Sequence, residues 1–172
     1  MTIFLMGYMG SGKSTLGKML AEKINYNFLD FDSYIEGEEK MTVAEIFKNK
    51  GEIYFRKIES IHLKNVLSGF DDTIISLGGG TPCYGINMEL IKNALGSSVY
   101  INVPVEELTG RLWEARLHRP LLAHQDTKEK MEEYIRKHLF ERGFYYNQAD
   151  FKLFAAGKSE AELVDELEAK LF

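Results

Sequence analysis

One cysteine, Cys83, in a chain of 172 residues rules out an internal disulfide and points to a reducing compartment, so a cytoplasmic location is expected. Prolines number only three. With so few, and with no low-complexity tract or internal repeat, the sequence offers no linker at which to divide it, and a single domain over residues 1–172 is expected. It contains neither a long apolar run nor a charged-then-apolar leader, so no membrane association is expected. Excess positive charge is lacking too: 21 Lys and Arg stand against 26 Asp and Glu, a net charge of −5 that argues against general affinity for nucleic acid. Any site for phosphate must therefore be locally basic. The four histidines, His62, His118, His124 and His138, have no partners at metal-ligand spacing and are assigned to no metal. What remains is an ordinary globular composition, 45% hydrophobic and 27% charged, long enough to bury a substantial core.

Against this background one stretch stands out. Gly7-Tyr8-Met9-Gly10-Ser11-Gly12-Lys13-Ser14 matches G-x-x-x-x-G-K-[ST], a spacing in which glycines let the backbone curl until successive N–H groups point at an anion. In that geometry Lys13 reaches the β- and γ-phosphates of a nucleotide and Ser14 ligates Mg²⁺. The flanks agree with it. Thr2–Met6 is an apolar run of buried-strand type, and Thr15–Lys23 continues with apolar residues at helical spacing, so the loop joins a strand to a helix N-terminus.

Farther along, Tyr26–Asp30 reads as a second strand, and period-two geometry through Asp30-Phe31-Asp32 sets both carboxylates on one side of an extended segment. There they suit magnesium and a hydroxyl; alternatively, Asp32-Ser33 caps the following helix. Residues 33–68 are helical in pattern, with a capping box at Thr42-Val43-Ala44-Glu45 and a break at Gly51. Phe55, Ile58, Ile61 and His62 have core-like spacing, while Arg56 and Glu59 share another face as either a functional pair or a solvated one. The strand Thr73–Leu77 runs into Gly78-Gly79-Gly80, a costly triplet explained by close approach of a ligand or by a structural bulge. A fourth strand over Ser97–Val103 precedes Pro104 and a helix from Val105 toward Leu117. Arg111, Arg116 and Arg119 form the densest basic segment, and Trp113 among them either stacks on a base or packs on the core. A long helix over Thr127–Tyr146, a fifth strand at Asp150–Phe154 and a capping box at Ser159-Glu160-Ala161-Glu162 complete an α/β pattern with a parallel sheet.

Five features in order give the chain a family resemblance: Gly7–Ser14 with Thr15; Asp30-Phe31-Asp32; Gly51-Glu52 followed by Phe55-Arg56 and Glu59; Ser76-Leu77-Gly78-Gly79-Gly80; and Arg119-Pro120-Leu121-Leu122. Together they resemble shikimate kinase. The resemblance implies a three-layer α/β/α fold of the P-loop kinase type with a five-stranded parallel sheet, a substrate-binding insertion over about residues 33–60 and a mobile lid over about 111–122. It implies transfer of the ATP γ-phosphoryl group to the 3-hydroxyl of shikimate, with Mg²⁺; a monomer is expected. By that likeness Gly10, Ser11, Gly12, Lys13, Ser14, Thr15, Arg111, Arg119 and Lys158 serve ATP, and Ser14 and Asp30 serve the metal. Asp32, Arg56, Gly78, Gly79, Gly80 and Arg142 bind shikimate, and Lys13, Asp32 and Arg119 are catalytic. After Arg142 the chain reads Gly143-Phe144-Tyr145-Tyr146 where the family usually has Pro-Leu-Tyr. A gluconate or nucleoside-monophosphate kinase would share the loop but differ in the acceptor residues, and a nucleotide-dependent switch would need a guanine-reading Asn-Lys-x-Asp segment, which is not visible.

Overall fold

Five short strands, β1 (Thr2–Met6), β2 (Asn27–Asp30), β3 (Thr73–Ser76), β4 (Gly96–Asn102) and β5 (Phe151–Phe154), pair in parallel in the order β2-β3-β1-β4-β5. The computed structural model describes residues 1–119 and 122–172. Parallel neighbours need crossovers, which are supplied by helices α1 (Lys13–Ile24), α2 (Phe31–Glu39), α3 (Val43–Gly69), α4 (Asn87–Asn93), α5 (Val105–Ala115), α6 (Lys128–Tyr146) and α7 (Glu160–Leu171). Strands β1 and β3 are buried along their whole length, as continuous apolar runs should be when helices cover both faces. Their register, Ile3 opposite Ile74 and Leu5 opposite Ser76, brings the start of the phosphate-loop motif level with Leu77 and the triglycine.

Local sequence explains most of the boundaries. Thr42 and Ser159 each accept the N3 backbone N–H while Glu45 and Glu162 reach back, so both expected capping boxes form. Gly51, at φ 85° and ψ 170°, kinks α3 where the break was expected. Pro104 sits at the N-cap of α5, which stops at Ala115 and gives way to a short 3₁₀ turn over Arg116–His118. Among the described residues no helix is long and apolar enough to cross a membrane.

Two expectations need correction, and one element was not expected at all. Asp30-Phe31-Asp32 is not extended: the strand ends at Asp30, which caps α2 by accepting the Ser33 N–H at 3.1 Å, and Asp32 lies in the first helical turn. A short polar side chain at a strand end competes for the next orphan N–H groups and starts the helix early. Ile61 is half exposed and Leu63 faces inward in its place, while Phe55, Ile58 and His62 are buried as expected. Helix α4 was not foreseen, its seven residues being too few to carry a periodic signal.

Candidate functional site

The phosphate-loop motif folds as its spacing demands. Gly10 and Gly12 hold φ values of 76° and 92°, in the left-handed region that residues with a Cβ avoid. Gly12 is also the N-cap of α1 and brings no side chain to its first N–H groups, leaving the positive end of that helix open to an anion. Lys13 folds back across the loop, its Nζ donating to the Gly7 carbonyl at 2.9 Å and the Tyr8 carbonyl at 3.0 Å. Burial lowers its pKa to about 8, against the opposing pull of Asp32 and Asp30. Ser14 Oγ donates to Asp30 Oδ2 at 2.8 Å and lies 3.1 Å from Ser76 Oγ. The set is all oxygen, two hydroxyls and one carboxylate, and suits a hard cation that keeps several waters. Among the described residues no group of three or more His, Cys, Asp or Glu side chains could hold a metal alone.

The triglycine makes the second half of the site, and its reason is room. A Cβ on Gly78 would fall 2.9 Å from Asp32 Oδ1, one on Gly79 would fall 3.3 Å from Arg142 Nη1, and one on Gly80 would fall 2.8 Å from Arg56 Nη2. Three successive positions thus each admit a polar side chain from a different helix, α2, α6 and α3, with Thr81 Oγ1 also 2.8 Å from the Cβ position of Gly78. None of the three has a left-handed φ, so what calls for glycine here is space and not an unusual backbone conformation. Asp32 is pushed up to about 6, first by burial and then by the neighbouring carboxylates of Asp30 and Glu59, with Lys13 pulling the other way.

Arg56 is anchored by neighbouring side chains, and Arg142 is buried. Arg56 Nη1 donates to Glu59 Oε1 at 2.9 Å; Glu59 is 1% exposed, and its other oxygen accepts from Thr81 Oγ1 at 2.7 Å. The pair is therefore not the solvated one that its i, i+3 spacing also allowed. Arg142 is buried, with its guanidinium 5.7 Å from the centre of the Tyr8 ring. Tyr146, stacked on Tyr100, donates its hydroxyl to the Gly79 carbonyl at 2.5 Å.

A cleft of about 600 Å³ runs along this surface, lined by Gly10–Thr15, Asp30, Asp32, Ser76 to Gly79, Arg111, Arg119 and Lys158. Arg56, Gly80 and Arg142 lie beyond its lining and connect to it through Gly79. Arg111 and Arg119 are exposed; Arg111 Nη1 donates to the Gly10 carbonyl at 3.0 Å and Nη2 pairs with Glu107. Lys158 pairs with Glu166 at the far rim. Pro120 and Leu121 of the Arg119–Leu122 motif lie outside the described residues. Trp113 is partly buried and packs against the core, the second of its two readings, with its ring centre 3.7 Å from the Arg116 guanidinium carbon. Sequence reasoning missed Ser76, Tyr84 and Tyr146. Ser76 had a signal in being the last strand residue before the triglycine, whereas the two tyrosines had none, since their contacts join distant segments.

Comparison with known proteins follows the same outline. The family model described as Shikimate kinase matches residues 9–171. A shikimate kinase of Flavobacterium johnsoniae is 42% identical over 165 residues, 96% of this chain and 95% of that protein. The crystal structure of shikimate kinase from Bacteroides thetaiotaomicron superposes with a TM-score of 0.90 at 37% identity, covering 99% of this chain and 97% of the other. That of the Acinetobacter baumannii enzyme, in complex with shikimate, gives 0.87 at 30% identity, covering 98% and 91%.

Proposed function

The chain belongs to the shikimate kinase family and is an ATP-dependent kinase of shikimate, and from that premise we propose how its own residues divide the reaction. The N–H groups from Gly10 to Thr15, with Lys13, hold the β- and γ-phosphates at the open end of α1. Ser14 and Asp30 would hold magnesium, which when bound neutralises charge on those phosphates. Arg56 and Arg142 bind the shikimate carboxylate, each guanidinium able to offer parallel N–H bonds, while Gly78, Gly79 and Gly80 leave the ring space to lie against the backbone.

Asp32 holds the 3-hydroxyl. With its pKa near 6 it is ionised at neutral pH yet basic enough to accept the hydroxyl proton as the oxygen–phosphorus bond forms and the β–γ bridge breaks, releasing ADP. Negative charge spreads over the transferring oxygens in the transition state, so catalysis is chiefly cationic positioning by Lys13 and by Arg119 from the lid over about residues 111–122. Arg111 and Lys158 flank the base side of the nucleotide. The reading is completed by one kinase domain over 1–172, with its insertion at about 33–60, acting as a monomer in the cytoplasm; the lone cysteine suits a reducing compartment.

The observation that carries this proposal is the meeting of Asp32, Arg142 and Arg56 on three consecutive glycines beside the phosphate loop. An ADP-release assay across shikimate, quinate, gluconate and nucleoside monophosphates tests it. Shikimate should be preferred strongly in kcat/KM, and in the Asp32→Asn enzyme its turnover should fall more than the affinity for ATP. A pure loss of ATP affinity in Asp32→Asn would move that residue from the acceptor to the metal.

A further inference from the structure

Tyr84 belongs to none of the motifs above. It follows directly the 3₁₀ turn Thr81–Cys83 that succeeds the triglycine, and its ring centre lies 3.8 Å from the guanidinium carbon of Arg56. The other two rings near that carbon, Phe55 and Phe47, are more distant at 5.2 Å and 6.0 Å. The Tyr84 hydroxyl donates to Glu52 Oε1 at 3.2 Å. That same oxygen stands 3.6 Å from Arg56 Nε, close enough for attraction but beyond a hydrogen bond, and Nε is buried without a partner among the described residues. Nη1 is engaged by Glu59. Among the described residues Nη2 donates to nothing and lies against Gly80.

We propose that Tyr84 is a positioning residue that sets how strongly the enzyme selects a carboxylate on its acceptor. The inference rests on the reading of Arg56 as a carboxylate clamp. A guanidinium presents its donors along its edge and its π-surface on its faces, so a ring stacked on the face fixes the plane without occupying an N–H. A hydrogen-bonding partner would instead compete with the substrate. Arg side chains are rich in rotamers, and ordering one on binding subtracts from affinity; stacking in the free enzyme removes part of that cost. The hydroxyl adds a second effect. By engaging Glu52 Oε1 it keeps that carboxylate from closing onto Nε and answering the charge that the substrate should answer.

The test compares kcat/KM for shikimate and for its methyl ester in wild type, Tyr84→Phe, Tyr84→Ala, Tyr84→Leu and Arg56→Ala, with KM for ATP and Tm measured alongside. The Tyr84→Ala and Tyr84→Leu enzymes should lose about fivefold to tenfold of the acid-over-ester preference, mainly through KM for shikimate, while KM for ATP stays put. Tyr84→Phe keeps the stacked face and should retain most of the preference. Leucine fills the space without a π-face, which separates stacking from simple packing if the alanine variant is poorly folded. A wild-type preference in Tyr84→Leu, or an equal fall for acid and ester, overturns the proposal while Arg56→Ala still loses the preference. If Arg56→Ala keeps it too, the clamp itself is wrong and the role of Tyr84 falls with it.

Discussion

In the phosphate loop every group aimed at an anion comes from nine consecutive residues, Gly7–Thr15, whereas the proposed acceptor pocket draws Asp32 from α2, Arg56 from α3, Gly78–Gly80 from just past the end of β3 and Arg142 from α6. The first is specified by backbone dihedrals at Gly10 and Gly12. The second exists only when four elements pack correctly, with Glu59 holding Arg56 and Tyr146 holding the Gly79 backbone. Local construction makes the loop suited to a ligand common to many enzymes. Dispersed construction lets each wall of the proposed acceptor pocket change by itself, and it is there that we place substrate choice.

That contrast predicts two kinds of damage. Lys13→Ala should lower kcat by about a hundredfold to a thousandfold, because a donor aimed at developing charge acts in the transition state. Circular dichroism should stay native and Tm should not fall, since the substitution removes a buried ammonium from a site that depresses its pKa. Retained turnover in a folded Lys13→Ala enzyme would break the comparison at its stronger end. Arg142→Ala, on the other side, should raise KM for shikimate by roughly tenfold to a hundredfold through lost charge-assisted bonds, with KM for ATP unchanged. Equal loss for both substrates would mean that the pocket is not separable from the loop.

Gly80→Ala sharpens the comparison without removing a charge. Its new Cβ would stand 2.8 Å from Arg56 Nη2, so the guanidinium must shift, and KM for shikimate should rise by about tenfold at constant ATP affinity. The smallest effects concern protons. Below about pH 6 Asp32 is protonated, so kcat/KM for shikimate should fall as the solution becomes more acid, and above about pH 8 the free enzyme should lose activity as Lys13 deprotonates. For stability the sign is opposite to that of a salt-bridged acid. Asp32 has its folded pKa raised, so its ionisation opposes folding: stability falls as pH rises from the unfolded value, near 4, through 6 and then levels off. Asp32→Asn should therefore raise Tm by on the order of 5 °C at pH 8, with no gain at pH 4, as measured by calorimetry.

How much of this was legible follows the same division. Strands β1 and β3, the phosphate loop and the capping boxes at Thr42 and Ser159 were readable because each depends on residues within a few positions. Gly78–Gly80 could be flagged as unusual, but whether a ligand or protein side chains filled the space was not decidable from spacing. Asp30 and Asp32 were found for the wrong local reason: the helix begins one residue after the strand, and capping overrode the alternation. Arg142 could be matched only through the family resemblance, because nothing near it in the chain says that its partner is Gly79. Tyr84 and Tyr146 gave no signal at all. Their contacts, one to Arg56 and one to Gly79, span 28 and 67 positions, and a tyrosine reads as generic core.

The triglycine also touches the other half of the site, since a Cβ on Gly79 would lie 3.5 Å from both the Gly7 carbonyl and the Met9 N–H nitrogen. It therefore serves as a common datum, the surface from which both the donor and the acceptor positions are measured. Errors elsewhere in the fold move one wall at a time; an error in this segment displaces acid, clamp and phosphate cradle together. Altering the acceptor by design should accordingly leave these three residues alone and work on α2, α3 and α6, whose side chains can be exchanged while the distance between hydroxyl and γ-phosphate stays referred to one fixed line of backbone.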